Sequence, residues 1–218
     1  TAGASSARDG QFLQKLKTDL QSNPGRSVVV AGTRQPAIVH ALVAAINAKL
    51  QNTGKTEVYY EAVNPDAATD VADIKTLADL IDGGRVGTLL ILGGNPAYNA
   101  PADLRFAEKL KKVKTAIHLA LHDDETSRLC TWHLSRDHYL EAWGDCRTYD
   151  GTVSIVQPLI EPLCDGRSAI EVLALVIGDK EGMVGGGHEI VRRTFRALAG
   201  DRFSEWQWKK SLADGLVE

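Results

Sequence analysis

The sequence predicts an α/β fold: a doubly wound, mostly parallel sheet with helices on both faces and further helices at the C-terminal end. Two observations predict it. Apolar runs of strand length alternate with amphipathic helical segments, the pattern of parallel strands joined by crossover helices. One of these runs, 87–92, stops abruptly at Gly93-Gly94-Asn95-Pro96, as a buried strand does where a loop follows. A chain of 218 residues, 44% of them hydrophobic, can bury one sizeable core.

Helices and strands alternate through the first 121 residues. Segment 8–22 carries an apolar stripe at helical spacing, and run 27–31 is rich in β-branched residues, as in a strand buried on both faces. Pro36 suits the first position of a helix, where its missing N–H costs nothing. The other predicted elements are a helix ending near Leu50, a strand at 57–63, a helix at 71–82, a strand at 87–92, a helix at 102–112 and a strand at 115–121. This order predicts a Rossmann-like sheet.

The regular alternation of predicted helices and strands ends after residue 122. The later predicted elements are an extended piece at 131–134, a fifth strand at 152–156, and helices at 168–177, 188–199 and 204–213. Gly185-Gly186-Gly187 predicts a hinge or turn. We expect one α/β domain over 1–218, with a sheet core at 1–165 and a helical part at 166–218. Because the sequence begins at Thr1 without Met, we expect a fragment of a larger protein.

Composition excludes several classes of function. The formal net charge is −3 and there is no basic run, so a nucleic-acid partner is not expected. Since no apolar run reaches about 18 residues, direct membrane insertion is not expected either. Cys130, Cys146 and Cys164 form no Cys-x-x-Cys pair, which argues against a zinc ribbon or an iron–sulfur cluster within this segment. We interpret them as free or buried thiols.

The candidate site lies where the predicted parallel strands end, because ligands of such sheets bind beyond the carboxyl ends of the strands. Three segments follow strands there: 32–35, 93–96 and 122–126. Glycine pairs let a ligand come close, since no Cβ intrudes. The predicted cofactor-binding residues are Thr33, Gly93, Gly94, Asn95, Pro96, Glu125 and Thr126. The alternative is a plain strand-to-loop turn. Neither Gly-x-Gly-x-x-Gly nor a Walker loop occurs, so a standard nicotinamide or ATP site is not expected.

Other groupings have two interpretations each. His118 and His122, beside acidic residues, are compatible with a metal site or with a buried histidine followed by a solvated turn. The trio Trp132, Tyr139 and Trp143 fits a core or a protein–protein face. The same two interpretations as for His118 apply to His133, His138 and Glu141. Ser135 and Ser154 lack the Gly-x-Ser-x-Gly elbow of a serine hydrolase nucleophile.

From Gly83 to about Pro162 the sequence resembles the molybdopterin oxidoreductases, the superfamily of dimethyl sulfoxide reductase and formate dehydrogenase. Members carry a strand, then Gly-x-Asn-Pro, a helix, a strand and Glu-Thr. The matching residues are Gly93-Gly94-Asn95-Pro96, Glu125-Thr126, Leu134, Tyr139-Leu140-Glu141 and Gly144. The chain departs from the family at Cys130-Thr131, where the family has Ala-Asp, at Ser135, where it has Pro, and at 147–151, where it has Asn-x-x-Gly-Arg.

Where the chain departs from the family pattern, it resembles one subgroup. This subgroup is the large iron–sulfur subunit of alternative complex III, a quinol:cytochrome c oxidoreductase. Runs 137–145, 149–153, 155–160 and 162–163 carry this likeness, which is strongest over 83–174. The resemblance implies a Tat-translocated protein on the periplasmic side of the bacterial inner membrane, peripheral and bound to the other subunits of a respiratory complex. It also implies that iron–sulfur clusters lie elsewhere in the full-length protein and that this part lacks the metal cofactor.

Three hypotheses follow. In the first, this segment is a structural domain of an electron-transfer complex, with no catalytic residue, metal ligand or cofactor of its own. In the second, it is a fragment of a true molybdenum oxidoreductase, and Gly93-Gly94-Asn95-Pro96 contacts molybdopterin guanine dinucleotide, as the family resemblance implies. In the third, it is an unrelated α/β hydrolase or nucleotide-binding enzyme.

Overall fold

A computed structural model describes residues 7–60 and 71–217, which belong to two compact units. The first unit, 7–60, contains helices α1 (Ala7–Ser22) and α2 (Ala37–Lys49). Apolar side chains of both helices, including Leu13, Leu16 and Ile46, line a groove of about 520 Å³. Both helices lie where the apolar spacing predicts them.

The prediction of a strand at 27–31 is wrong, because these residues pair with no other strand in the structure. The buried Asn47 side chain takes the place of a neighbouring strand. Its Oδ1 accepts from the Val29 N–H at 3.0 Å, and its Nδ2 donates to the Val29 carbonyl at 2.8 Å. The strand predicted at 57–63 is also wrong as far as it is described: Glu57 forms one isolated bridge, 58–60 form none, and 61–63 lie outside the described residues.

The second unit, 71–217, is built on a parallel sheet of three strands, β1 (Thr88–Leu92), β2 (Thr115–Ala120) and β3 (Trp132–Ser135), in that order. Ile91 lies opposite His118, and His118 lies opposite His133. The predicted strands at 87–92 and 115–121 are confirmed. The short extended piece predicted at 131–134 is a full member of the sheet.

Helix α3 (Val71–Asp82) precedes the sheet, and short helices α4 (Pro96–Asn99) and α5 (Phe106–Leu110) connect β1 to β2. The single helix predicted at 102–112 is wrong. Arg105 has a left-handed backbone conformation, with φ of 45°, and it separates a 3₁₀ turn (Ala102–Leu104) from α5. The core on this sheet is apolar and consists of Ala78, Ile81, Phe106, Leu110, Val113 and Ala116.

A second sheet of three antiparallel strands follows, with β4 (Gly144–Arg147) and β6 (Leu216–Val217) on either side of β5 (Val153–Val156). The predicted fifth strand therefore exists, but it is not part of the parallel sheet. Helices α6 (Ala169–Ile177), α7 (Lys180–Ala199) and α8 (Glu205–Asp214) confirm the predicted C-terminal helices. Ile155, Val191, Phe195 and Trp208 form the core beside this sheet.

Helix α7 bends at Gly186, whose φ of 62° and ψ of −163° are not helical. The glycine triplet therefore changes the chain direction inside one helix, as the sequence predicts for a hinge or turn. Among the described helices, none combines the length and the apolar character needed to cross a bilayer. The chain is thus mixed α/β, with a parallel sheet of three strands, and the single domain predicted for 1–218 stays a prediction.

Candidate functional site

Three loops meet at one edge of the parallel sheet, because parallel strands end on the same side. Gly93 follows β1, Leu121 follows β2 and Arg136 follows β3. Backbone hydrogen bonds extend the ladder into these loops. Gly93 N–H donates to the Leu119 carbonyl at 2.8 Å, and Arg136 N–H donates to the Ala120 carbonyl at 3.1 Å. The geometry of the sheet therefore brings the three loops side by side.

The glycine pair is required by the backbone of its loop. Gly93 and Gly94 have φ of 75° and 72°, a left-handed backbone conformation that residues with a Cβ rarely adopt. A Cβ on Gly93 would also lie only 2.8 Å from Nη1 of Arg136. At Gly94 a Cβ would meet open space, so its conformation is the stronger reason for glycine at that position.

Asn95, Glu125 and Thr126 are hydrogen-bonded to one another. Asn95 Nδ2 donates to Glu125 Oε2 at 2.7 Å, and the Thr126 hydroxyl donates to Asn95 Oδ1 at 2.7 Å. The Thr126 oxygen also accepts from Ala97 N–H at 3.0 Å, within the first turn of the helix that Pro96 begins. The Asn95 amide is therefore engaged by its own neighbours on both its oxygen and its nitrogen.

A buried chain of polar groups lies under the glycine pair. His118, which is fully buried, places Nε2 at 3.0 Å from the Gly94 carbonyl and Nδ1 at 2.8 Å from Ser127 Oγ. Because a carbonyl only accepts, Nε2 carries a proton toward Gly94, and Nδ1 shares a hydrogen with the Ser127 hydroxyl. Ser127 Oγ also lies 3.0 Å from His133 Nδ1, and its hydroxyl donates to the His122 carbonyl at 3.3 Å. The chain fixes the loop after β1 to the strands below it.

The structure separates the two histidines of the proposed metal pair, since His118 is buried and His122 is exposed. Among the described residues, no three His, Cys, Asp or Glu side chains are grouped so that they could hold a metal ion. The interpretation of His118 as a buried histidine is confirmed. The aromatic trio is also divided: Trp132 and Tyr139 are exposed, and Trp143 packs against Trp208 with ring centroids 6.4 Å apart.

The carboxylates of the second loop are held in their charged form. The hydrogen bond from the Asn95 side chain lowers the pKa of Glu125. Burial pushes the pKa of Asp124 upward, but hydrogen bonds from Ser127 and the nearby His118 outweigh it, so that the pKa of Asp124 is lowered. Two negative charges therefore adjoin the loop after β1 at neutral pH.

Of the seven predicted cofactor-binding residues, the structure brings together Gly93, Gly94, Asn95, Pro96, Glu125 and Thr126 at this edge. Thr33 belongs to the unit 7–60, where it is exposed in the turn before α2. Its membership of the site, and cofactor binding by the other six, stay predictions.

Sequence reasoning missed Arg136. Its guanidinium lies over Gly93, and among the described residues it makes no ion pair with a carboxylate. Its signal was present in the sequence: if 131–134 is a third parallel strand, the residue after Ser135 must lie at the same edge as Gly93.

Comparison with known protein families gives no match for this chain. A search among curated proteins finds no similar sequence.

Proposed function

We propose that this chain is a structural domain of a respiratory, quinol-oxidising electron-transfer complex, derived from the molybdopterin oxidoreductases and without a redox centre of its own. The proposal includes a doubly wound, Rossmann-like sheet and a position on the periplasmic side of the bacterial inner membrane among the other subunits. The resemblance over 83–174 supports the ancestry, and three parallel strands with loops at one edge are compatible with it.

The observation that carries the structural role is the closed network of Asn95, Glu125 and Thr126. A pterin dinucleotide presents an anionic pyrophosphate, which needs free N–H donors and positive charge. Here the Asn95 Nδ2 instead donates to Glu125, a carboxylate that stays ionised. Asp124 adds a second negative charge. The Asn95–Glu125–Thr126 network therefore offers few free donors and much negative charge to an anionic dinucleotide, and we interpret the loop as a scaffold retained after the cofactor was lost.

The second candidate is a pterin-binding fragment of a true molybdenum oxidoreductase. Arg136 favours it, because its guanidinium lies over Gly93 with no carboxylate partner among the described residues. A guanidinium over a loop without Cβ atoms is a recurrent way to bind phosphate.

Metal analysis and pterin fluorescence of the full-length protein, purified with its membrane complex, separate the two candidates. We expect iron without molybdenum, no oxidised pterin after acid treatment, and co-purification with membrane subunits. Stoichiometric molybdenum together with pterin would refute the structural role and establish the second candidate.

A further inference from the structure

The apolar groove of the unit 7–60 has walls from both α1 and α2. Its volume is about 520 Å³. The aliphatic side chains that line it are Leu13, Leu16 and Leu20 of α1 and Ile46 and Leu50 of α2. The backbone joins the two walls at one end, where the Gly25 N–H donates to the Leu50 carbonyl at 2.8 Å. The groove is therefore an aliphatic channel between two helices that meet at their C-terminal ends.

The aliphatic walls are open to water. Leu13, Leu16 and Ile46 are 56%, 41% and 42% exposed. The stripe of α2 continues away from the groove through Leu42 and Ile38, at spacings of four residues, and these side chains are exposed too. An apolar helical stripe normally faces a core, and an exposed apolar surface of this kind marks an interaction site.

The charges of the groove are positive on both walls. Lys17 of α1 and Lys49 of α2 line it, and both side chains are exposed. Within residues 7–60 and 71–217, neither amine forms an ion pair, and no carboxylate lines the groove. An aliphatic channel with a lysine on each wall is complementary to an apolar surface with acidic flanks.

The dimensions of the groove fit a helix. Leu13, Leu16 and Leu20 follow one another at spacings of three and four residues, which is two turns or about 10 Å of helix. A partner helix with apolar side chains at i, i+3 or i+4, and i+7 covers the same length. An acyl chain with an anionic head is narrower and would leave these open walls partly in water. Helix α1 of a second copy would bring another Lys17 against the two lysines, where like charges repel.

We propose that this groove binds an amphipathic helix of a partner protein, with Asp or Glu on both sides of its apolar stripe. The stripe would contact the aliphatic walls, and the flanking carboxylates would contact Lys17 and Lys49. The proposal concerns the unit 7–60 and does not depend on what the loops of the parallel sheet bind.

The test is a fluorescence anisotropy titration of the full chain with a designed helical peptide of about 15 residues. It carries Leu at i, i+3 and i+7 and Glu on both flanks, and the matched peptide has Lys in place of every Glu. We expect saturable binding of the Glu peptide and about tenfold weaker binding of the Lys peptide. Carbodiimide cross-linking of the bound Glu peptide should join its carboxylates to Lys17 and Lys49, and not to Lys15 on the other side of α1.

Exchange of the charges gives the sharpest variant. The double variant Lys17→Glu, Lys49→Glu should prefer the Lys peptide, because both walls then carry negative charge. The matched control is Lys15→Glu, Lys114→Glu, which changes the net charge equally at two exposed lysines outside the groove and should keep the preference for the Glu peptide. Leu16→Ser should weaken binding of the Glu peptide at least about tenfold, because a buried leucine contact is lost. Circular dichroism confirms that each variant is folded.

Several outcomes would overturn the proposal. They are no saturable binding of the Glu peptide to the full chain, equal binding of the two peptides, or an unchanged preference after the charges are exchanged. A dimer in light scattering that Leu16→Ser dissociates would assign the groove to a second copy of the chain. Saturable binding of dodecanoate without binding of the Glu peptide would assign it to a fatty acid.

Discussion

At the scale of single residues, Asn95 decides how the loop after β1 is held. It donates to Glu125 through Nδ2 and accepts from the buried Thr126 hydroxyl through Oδ1. An amide carries a donor on one atom and an acceptor on the other, which this pair of contacts requires. The same residue that suggests a cofactor contact in the sequence serves, in the structure, to connect the loops after β1 and β2.

Replacement of Asn95 tests this connection. Asn95→Asp turns the donor into a second carboxylate oxygen facing Glu125, and we expect the free energy of unfolding to fall at pH 7. The loss should shrink as the pH falls through about 4, where carboxylates become protonated. Urea unfolding at both pH values measures it. The matched control is Asn99→Asp on the exposed side of α4, and equal losses in both variants would contradict the role of Asn95.

Asp137 is a residue whose charge opposes folding. Its pKa is raised by burial and by Glu171 and Glu141, so its charged form is disfavoured in the folded state. The penalty is complete above the folded pKa and absent below the ordinary value of 3.8. We therefore expect Asp137→Asn to raise the melting temperature at pH 7, with a gain that disappears as the pH falls below 3.8. A gain that persists unchanged at low pH, or a destabilised variant, would show that the charge is not the cause.

At the scale of elements, the bend of α7 depends on glycine. Gly186 has φ of 62° and ψ of −163°, a region that is open essentially to glycine alone. The neighbouring Gly187 packs on Trp143, where a Cβ would lie 3.1 Å from the Trp143 Cβ. The bend therefore brings α7 close to the segment that connects β3 to β4.

The same substitution at two glycines should have opposite effects. Gly186→Ala places a Cβ on a residue with a disfavoured backbone conformation, and we expect the free energy of unfolding to fall by about 1–3 kcal/mol. Gly10 lies inside α1, where a Cβ meets no atom within 4 Å. We expect Gly10→Ala to raise the free energy of unfolding by about 0.5–1 kcal/mol. Denaturant unfolding of the full chain compares them. A neutral Gly186→Ala would mean that the bend does not need glycine.

The pairing of elements also depends on distant residues. Segment 27–31 has the composition of a buried strand, yet Val28 and Val30 are 52% and 78% exposed, and Asn47 satisfies the backbone of Val29. Strand β3 has weaker strand composition but pairs fully with β2. Strand propensity therefore marks a segment that can pair, and the presence of a neighbour determines whether it does.

At the scale of the whole molecule, the stability of the fold at acidic pH depends on carboxylates that the folded state holds in the charged form. Asp179 caps α7 and pairs with Arg193, and the Arg193 hydrogen bond is the main reason that the pKa of Asp179 falls from 3.8 to about 2. A lowered folded pKa contributes stability that is present above 3.8 and lost as the pH falls through about 2.

Asp179→Asn isolates this charge, because asparagine also caps helices well. We expect a lower melting temperature than for the unsubstituted chain at pH 7, with a difference that closes as the pH falls from about 4 toward 2. Thermal unfolding across this pH range measures it, with the exposed Asp201→Asn as the control. A difference that is the same at every pH would assign the effect to the cap and not to the charge.

Elements that depend on local chemistry are predictable from the amino-acid sequence. Apolar spacing located α1, α2, α3 and the C-terminal helices, and continuous apolar runs located β1 and β2, because side-chain periodicity depends on neighbours along the chain. The motif Gly93-Gly94-Asn95-Pro96 marked the sheet edge for the same reason: the loop conformation needs glycine at the first two positions. Glu125 and Thr126 followed from the rule that parallel strands end together.

The pairing of segments and the meeting of charges depend on the folded structure. It placed β5 in a separate antiparallel sheet, put Arg136 over Gly93, and enclosed Asp137 between Glu141 and Glu171. These outcomes depend on hydrogen-bonding partners and on the loss of water around residues that are far apart in sequence. No local pattern encodes them, because the free energy of a strand pair or of a buried charge belongs to both partners.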